Sequence, residues 1–403
     1  MDLKDYYGKT SCEAEQKRID ALAEKFKQRE NAAPDYIFSS PGRAEILGNH
    51  TDHNHGLVIV AAISCDILAA VKKTDDGIVR IVSEGFPDMK VDLKDTAERP
   101  EEKSTSTALI KGVANALIAK NRLIGGFTAH ITSNVFKGAG VSSSAAFEVL
   151  IAEIFNFLYL DGKLSPIEKA VISQYSENVY FGKPCGLLDQ TGIALGGLSE
   201  LDFFVPEDPV IKQLGSIKGY SLVITNMGGD HASLTPHYAA IRKEMNAVAA
   251  HFGKAVLRDV PYEKFISDVP TLKKKFTDRA ILRALHFYEE NERVESAAKA
   301  ILSGDNAKFL EAVEKSGLSS LDKLQNCYVP GEERQPVVLG IELSRRIIKD
   351  GAVRVHGGGF AGSILAVVSD KEAGAYAAQM KKWFGDKNVF RALVRSKGTA
   401  VIS

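Results

Sequence analysis

Apolar and polar residues follow two different periods along this chain. Ile19, Leu22 and Phe26 recur at helical spacing within a charged segment, which predicts an amphipathic helix over residues 11–29. Further helices are predicted at 107–119, 145–158, 165–177, 235–252, 270–285 and 372–384, with two more within 289–317. Strands are predicted at 36–48, 57–71, 79–83, 91–93, 127–135, 221–225, 350–368 and 388–401. Because strands and helices mix in both halves without regular alternation, the pattern favours an α+β fold.

The clearest break in this pattern follows residue 205. An apolar stretch at 198–205 is followed by Pro206 and Pro209, which end regular structure. The chain has 403 residues, which is long for one compact domain. We therefore predict an N-terminal domain at 1–205 and a C-terminal domain at 206–403.

Charge and composition predict no nucleic-acid or membrane partner. Fifty-one basic residues balance 51 acidic ones. The longest apolar run, 56–71, contains Ser64 and Asp66 and is shorter than the roughly 18 residues that a membrane span requires. Residues 1–7 include no apolar run, so we expect no secretory signal. The widely spaced cysteines predict reduced thiols and a cytoplasmic location; they are Cys12, Cys65, Cys185 and Cys327.

A glycine- and serine-rich stretch at 137–146 joins a predicted strand to a predicted helix. The first N–H groups of a helix lack intrahelical partners, and the helix dipole is positive at that end, so an anion fits there. The stretch is not the Walker A motif, which occurs nowhere in the chain. We predict that it binds a nucleotide phosphate; the alternative is a plain helix cap, for which one serine suffices.

A second glycine cluster, Gly357-x-Gly359-x-x-Gly362, formally matches the dinucleotide-binding fingerprint. The apolar residues 363–368 that follow it predict a strand, whereas the fingerprint requires a helix to receive the pyrophosphate. This context disfavours an NAD site. It predicts a loop whose backbone approaches another group closely.

Two further stretches carry candidate chemistry. His50, Asp52, His53 and His55 could hold zinc, but neighbours in sequence rarely form a tetrahedral site, so a polyol-binding loop is the favoured interpretation. Asp189 lies before a segment of small residues, where it could be a helix cap or a general base. On these residues alone the cap is favoured.

Five stretches together resemble the galactokinase branch of the GHMP kinases. Residues 41–52 read Pro-Gly-Arg-Ala-Glu-Ile-Leu-Gly-Asn-His-Thr-Asp, close to the galactokinase signature. Residues 138–145 match the family's Gly-x-Gly-Leu-Ser-Ser-Ser-Ala loop, 185–190 its Cys-Gly-Ile-Met-Asp-Gln segment, and 357–362 its third motif. The remaining stretch, the fourth in chain order, keeps the family's spacing with Asn226, His231, Leu234, Tyr238 and Arg242. The resemblance covers nearly the whole chain.

The resemblance implies an ATP-dependent kinase that phosphorylates the anomeric hydroxyl of galactose. The implied fold has two lobes, an N-terminal lobe like domain 2 of ribosomal protein S5 and a ferredoxin-like C-terminal lobe, with the active site between them. It implies a sugar and ATP as small-molecule partners and Mg²⁺ as cofactor, and we expect a monomer.

The resemblance also implies roles for individual residues. Asp189 would be the base, beside Arg43, so the resemblance reverses the interpretation of Asp189 as a cap. Ser144 and Glu177 would hold Mg²⁺, and Ser83 would contact the nucleotide. The triphosphate would lie against Gly138, Ala139, Gly140, Val141, Ser142, Ser143 and Ser144. The sugar would lie against Asn49, His50, Thr51, Asp52, Gly186 and Tyr238.

The chain departs from the family pattern where the family's glutamate meets the C6 hydroxyl of the sugar. Asn49 stands in place of that glutamate, and Glu45 in place of an asparagine. His53 and His55 replace a tyrosine and a glycine. Since asparagine is neutral and both donates and accepts hydrogen bonds, we hypothesise relaxed or changed selectivity at C6, toward galacturonate or arabinose.

Two other features leave alternatives open. Phe136 and Lys137 stand where the family usually has a proline-containing segment before the glycine loop. Lys137 is either a phosphate contact or a solvated lysine. Some galactokinase-like proteins are sugar sensors without turnover. The presence of the implied base and metal ligands favours an active kinase over a sensor.

Overall fold

The computed structural model describes residues 3–8, 11–135, 140–228 and 234–403. The strands are β1 Tyr36–Leu47, β2 Leu57–Lys73, β3 Ile78–Ser83, β4 Met89–Asp92, β5 Phe127–Ser133, β6 Leu198–Asp202, β7 Val210–Gln213, β8 Tyr220–Asn226, β9 Gly351–His356, β10 Ser363–Ser369, β11 Val389–Ala392 and β12 Ala400–Val401. The helices are α1 Lys4–Tyr7, α2 Cys12–Glu30, α3 Ser106–Ala119, α4 Ser143–Tyr159, α5 Pro166–Tyr175, α6 Leu188–Leu195, α7 Thr235–His251, α8 Tyr262–Ser267, α9 Val269–Lys275, α10 Asp278–Ser303, α11 Asn306–Ser319, α12 Pro336–Ile347 and α13 Ala373–Phe384.

Two mixed layers of sheet and helix result from these elements. Among the described residues, one sheet has the order β12-β1-β2-β5-β3-β4, with β6 paired to β2 and β7 to β6. The other has the order β11-β8-β10-β9. The strands are antiparallel except for the β3–β5 pair. This architecture confirms the predicted α+β class.

Strand β1 is irregular at the positions that matter for the site. It pairs with β2 over almost its whole length, but the register shifts between Pro41 and Gly42 and again between Glu45 and Leu47. Proline cannot donate a hydrogen bond to the ladder, and such irregularities re-aim side chains. Arg43 lies between the two shifts.

Helix α4 is buried along most of its length, and α5 packs beside it. Helix α5 begins with a capping box, in which the Ser165 hydroxyl accepts from the Glu168 N–H group and the Glu168 carboxylate accepts from the Ser165 N–H group. Its end then widens into a π-helical turn at Ser176–Phe181. Single π turns are frequent at functional sites, and this one carries Glu177.

The helix boundaries in the second half differ from the prediction. The predicted helix at 270–285 is broken after Lys275, because the Thr277 hydroxyl accepts from the Ala280 N–H group and starts α10 there. Helix α10 continues to Ser303, past the predicted break before residue 289. Helix α12 was not predicted, although its buried Val337, Gly340, Ile341 and Ser344 follow helical spacing.

The predicted domain boundary falls between two paired strands. Strand β7 lies beyond residue 205, yet it pairs with β6 in the first sheet. Strand β12, near the end of the chain, pairs with β1 in that same sheet. The division at 205 and 206 stays a prediction. No helix in the described ranges is both long and apolar enough to cross a membrane.

A buried carboxylate joins both ends of the chain to the first sheet. Asp66 of β2 accepts hydrogen bonds from Arg18 at 2.6 Å, from Tyr7 at 2.5 Å and from the Ser39 hydroxyl. The Arg395 guanidinium lies 3.5 Å from the same carboxylate. Burial, followed by the Asp66 charge, raises the pKa of the Tyr7 hydroxyl. Asp66 therefore fixes α1, α2 and the C-terminal segment on one strand.

We predict that Asp66→Asn lowers the free energy of unfolding by about 3 kcal/mol or more, because it removes the carboxylate from the buried Arg395 guanidinium and from the partly buried Arg18. Urea denaturation measures the loss. The control is Asp161→Asn, which breaks an exposed pair with Lys163 and should cost less than about 0.5 kcal/mol. Equal losses in the two variants would contradict this account of Asp66.

Candidate active site

An ion pair between Arg43 and Asp189 forms the centre of the site. Arg43 comes from β1, and Asp189 lies in the first turn of α6. The Arg43 Nε and Nη2 atoms both lie 2.7 Å from Asp189 Oδ1. The Ser142 hydroxyl donates to the other carboxylate oxygen, and Arg43 Nη1 donates to the Gly140 carbonyl. The expected proximity of Arg43 and Asp189 is confirmed.

The surroundings of Asp189 keep its carboxylate ionised. Burial by itself would raise the pKa of this carboxyl group, but the Arg43 charge and the Ser142 hydrogen bond outweigh burial and hold the pKa below its ordinary value. At neutral pH Asp189 is therefore negatively charged. It can accept a proton from a hydroxyl group placed against it.

A second pair, Ser144 and Glu177, lies at the N-terminus of α4. The Ser144 hydroxyl donates to Glu177 Oε1 at 2.9 Å, and the Gln190 amide donates to Glu177 Oε2 at 2.8 Å. Lys183 Nζ lies 3.0 Å from Glu177 Oε1. Gln190 directly follows Asp189 in sequence, so α6 supports both carboxylates.

This pair fits a magnesium ion that is also bound by phosphate. Mg²⁺ takes oxygen ligands and commonly uses one or two protein groups plus phosphates and water. Among the described residues, no group of three or more histidine, cysteine, aspartate or glutamate side chains could hold a metal ion. The hydroxyl of Ser144 and the carboxylate of Glu177 supply suitable oxygens, whereas the histidines near residue 50 do not gather into a zinc site.

The loop before α4 is only partly described. Gly138 and Ala139, with Phe136 and Lys137, lie outside the described residues, as does His231 of the fourth motif. Gly140 and Ser142 both have left-handed backbone conformations, with φ of 66° and 60°. The loop thus turns sharply into α4, where Ser143 and Ser144 form the first turn. Val141 is buried, and its carbonyl accepts from the Arg43 N–H group.

On the sugar side of the predicted site, Asp52 packs on Gly186. A Cβ atom added to Gly186 would lie 1.7 Å from Asp52 Oδ2, so only glycine fits there. The Tyr238 hydroxyl donates to the Gly359 carbonyl at 3.3 Å, and burial raises the pKa of Tyr238 to about 12. These contacts join the polar loop after β1 to the loop before α6, and helix α7 to the third glycine motif.

The other loop residues are held by protein partners. His50 Nε2 lies 3.0 Å from the Gly358 carbonyl, and burial lowers the pKa of His50 to about 3, so its ring is neutral. The Thr51 hydroxyl donates to the carbonyls of Leu57 and Gly48. Ser83 is the last residue of β3, and strands β2 and β5 lie between β3 and β1 in the sheet. The roles of these three residues toward ligands stay predictions.

Asn49 uses all the hydrogen-bonding capacity of its side chain within the protein. It is fully buried, and its Nδ2 donates to Glu45 Oε1 at 2.6 Å and to the Gly357 carbonyl at 2.7 Å. Its Oδ1 accepts from Asn326 at 2.7 Å and from Ser320 at 3.4 Å. Contact between Asn49 and a sugar hydroxyl stays a prediction, and it requires one of these partners to be displaced.

The two exchanged residues of the signature are therefore direct partners. The Glu45 carboxylate lies 3.4 Å from the Arg354 guanidinium and accepts from Asn49. The Glu45 backbone N–H group donates to His356 Nε2. Burial raises the pKa of Glu45 to about 7, although the Arg354 and Arg43 charges oppose this rise. An acid and an amide still meet at this point, with their positions reversed relative to the family.

His286 and Glu290 of α10 bind Gly48 and Asn49, which follow β1, and no sequence motif indicated either residue of α10. His286 Nε2 lies 2.9 Å from the Asn49 carbonyl, and burial lowers the pKa of His286 to about 4. Glu290 accepts from the Gly48 N–H group at 3.0 Å and from the Ser316 hydroxyl at 2.5 Å. The contacts with Asn49 and Gly48 join residues more than 230 positions apart, so no local pattern could reveal them.

We predict that Asn49→Glu alone destabilises the protein by about 2 kcal/mol or more, because it buries a second carboxylate against Glu45. Adding Glu45→Asn restores one acid and one amide and should recover at least half of the loss. A double-mutant cycle from urea denaturation at pH 8 measures this coupling. Additive effects of the two substitutions would show that the pair does not interact.

We also predict a pH-dependent effect of Glu45→Gln. The folded-state pKa of about 7 exceeds the ordinary glutamate value of about 4.5, so Glu45 contributes stability at low pH and loses that contribution as the pH rises from about 4.5 to about 7. The variant should match the wild type at pH 4 and exceed its unfolding free energy by roughly 3 kcal/mol at pH 8. A wild type that is the more stable protein at pH 8 would contradict this prediction.

Comparison with known proteins agrees with this geometry. The galactokinase galactose-binding signature matches residues 24–73, and the GHMP kinase N-terminal domain matches residues 108–197. A galactokinase of Streptomyces coelicolor is 32% identical over 352 residues, which cover 86% of this chain and 88% of that protein.

Solved structures show the same fold. The crystal structure of Lactococcus lactis galactokinase complexed with galactose superposes with a TM-score of 0.84 at 23% identity, covering 95% of this chain and all of the other. Methanococcus jannaschii mevalonate kinase gives a TM-score of 0.64 at 14% identity, covering 89% and 98%. The expected GHMP kinase fold is thus confirmed, and the chain belongs to the galactokinase family of GHMP kinases, carbohydrate kinases that transfer phosphate to an alcohol.

Proposed function

We propose that this protein transfers the γ-phosphoryl group of ATP to the anomeric hydroxyl of galactose. The observation that carries the proposal is the ionised Asp189, held by Arg43 and Ser142 beside the Ser144–Glu177 pair. A base and an oxygen-rich cation site meet at the N-terminus of α4, where phosphate is favoured. Phosphoryl transfer requires these groups to be positioned together.

The reaction would proceed by direct in-line transfer. The C1 oxygen of the sugar bonds to the γ-phosphorus as the bond from that phosphorus to the oxygen of ADP breaks. The hydroxyl proton passes to the Asp189 carboxylate, and the Arg43 guanidinium offsets negative charge on the transferred group. Mg²⁺ held by Ser144 and Glu177 would neutralise phosphate charge when it is bound.

Galactose is the sugar that the family favours. The galactose-binding signature spans strand β1 and the polar loop after it, including Glu45, Asn49 and Asp52. The alternatives suggested by Asn49, a kinase for galacturonate or arabinose, are not favoured, and neither is a sensor without turnover. We also propose that the protein acts as a monomer in the cytoplasm, without nucleic-acid or membrane partners, as its balanced charge suggests.

A sugar panel tests the proposed substrate. ADP release is measured in a coupled assay with ATP, Mg²⁺ and galactose, galacturonate, arabinose or glucose. We expect kcat/KM for galactose to exceed the others by orders of magnitude. Preferential turnover of galacturonate or arabinose would overturn the assignment of galactose, and no turnover with retained sugar binding would support a sensor.

We predict that Asp189→Asn lowers kcat about 10²- to 10⁴-fold, because the variant cannot accept the proton, while galactose binding measured by calorimetry persists. The control is Asp370→Asn, which removes an exposed partner of Arg391 at the edge of the second sheet and should leave kcat unchanged. Retained turnover in Asp189→Asn would exclude Asp189 as the base.

A further inference from the structure

Lys183 is joined to the candidate metal ligand by both its backbone and its side chain. The π-helical turn ends at Gly182, whose φ of 81° turns the chain back toward Glu177. The Lys183 N–H group donates to the Glu177 carbonyl at 3.1 Å, and the Lys183 ammonium donates to Glu177 Oε1 at 3.0 Å. The position of the ammonium is therefore set by the same turn that sets the carboxylate.

The ammonium shares its carboxylate oxygen with the N-terminus of α4. Glu177 Oε1 accepts from Ser144 at 2.9 Å as well as from Lys183, while Oε2 accepts from Gln190. Ser144 lies in the first turn of α4, so the ammonium and the N-terminus of that helix are joined through one carboxylate oxygen. A helix N-terminus and an ammonium group both favour an anion.

The ammonium also faces open space and acts on the rest of the site. The Lys183 side chain is 58% exposed, whereas that of Glu177 is only 2% exposed. An ammonium group has three N–H donors, and the contact with Glu177 uses one. The Lys183 charge acts on both Asp189 and Tyr238. Burial raises the pKa of Asp189, and the Lys183 charge is one of the contributions that lower it. Burial also raises the pKa of Tyr238, and the Lys183 charge opposes that rise.

We propose that Lys183 is a phosphate-binding residue, whose ammonium contacts the terminal phosphates of ATP from its position on Glu177. The proposal rests on the function proposed above, because it requires ATP to lie at the N-terminus of α4. Lys183 supplies a protein cation in addition to Arg43, at the carboxylate that also accepts from Ser144. A flexible lysine suits this task, since its charge follows phosphate oxygens without a fixed geometry.

A purely structural role for Lys183 makes a different prediction. If the ammonium only neutralises Glu177, its loss leaves that carboxylate to repel phosphate, and the loss should have no effect in a Glu177→Gln background. If it contacts the terminal phosphates, its loss should weaken ATP more than ADP and leave AMP unaffected. Nucleotide binding without metal separates the two roles.

The test uses Lys183→Met and Lys183→Arg in the full chain, and Lys183→Met again in a Glu177→Gln background, where the proposal predicts the same graded loss. Lys212→Met is the matched control, because Lys212 is also a half-exposed lysine, 3.4 Å from the mostly buried Glu200, but lies on β7. Calorimetry measures the affinities for AMP, ADP and ATP in EDTA and again with Mg²⁺, and thermal melting monitors the fold. We expect Lys183→Met to lose about tenfold or more in ATP affinity in EDTA, less for ADP and none for AMP. Lys183→Arg should retain most of the affinity, and the control should match the wild type.

Three results would overturn the proposal. Equal losses for all three nucleotides would indicate a structural role, and unchanged ATP affinity in Lys183→Met would exclude the contact. Wild-type protein that binds ATP only with Mg²⁺ would show that the ammonium does not hold phosphate by itself. Failure of the wild type to bind ATP in either condition would instead contradict the proposed function, on which this proposal depends.

Discussion

The ion pair between Arg43 and Asp189 connects the parts from which the site is built. It joins β1 of the first sheet to the first turn of α6, and Arg43 reaches the Gly140 carbonyl before α4. Three segments far apart in sequence are thereby fixed around one ionised carboxylate. Without the guanidinium, burial would favour the neutral acid, which could not accept a proton. The shape of the site and its chemistry thus depend on the same contact.

Local patterns predicted most of the elements, and helical spacing indicated α2. The residues at the centre of the site came from the resemblance to the galactokinases, which implied that Arg43 and Asp189 meet, whereas the local pattern around Asp189 favoured a helix cap. The break between α9 and α10 was missed because a single Thr277 cap decides it within otherwise continuous helical spacing. The contacts of α10 with the polar loop were missed because they depend on tertiary packing, which the sequence of either segment does not reveal.

In the polar loop after β1, the structure changes the interpretation of Asn49, the residue that departs from the family pattern. From sequence, Asn49 suggested altered recognition at C6 of the sugar. In the fold its amide is fully engaged by Glu45, Gly357 and Asn326, so its visible role is to hold the loop against the third glycine motif. The accompanying change at residue 45 supplies the carboxylate that this amide binds, so the two changed residues form one pair within the protein.

The central claim is that these residues direct phosphate to the anomeric oxygen of galactose. The most direct measurement is phosphorus NMR of the product formed from ATP and galactose by the purified protein. The account predicts ADP and a single new phosphomonoester whose phosphorus couples to the anomeric proton. A phosphomonoester coupled to the C6 protons, or release of inorganic phosphate without a sugar phosphate, would contradict it.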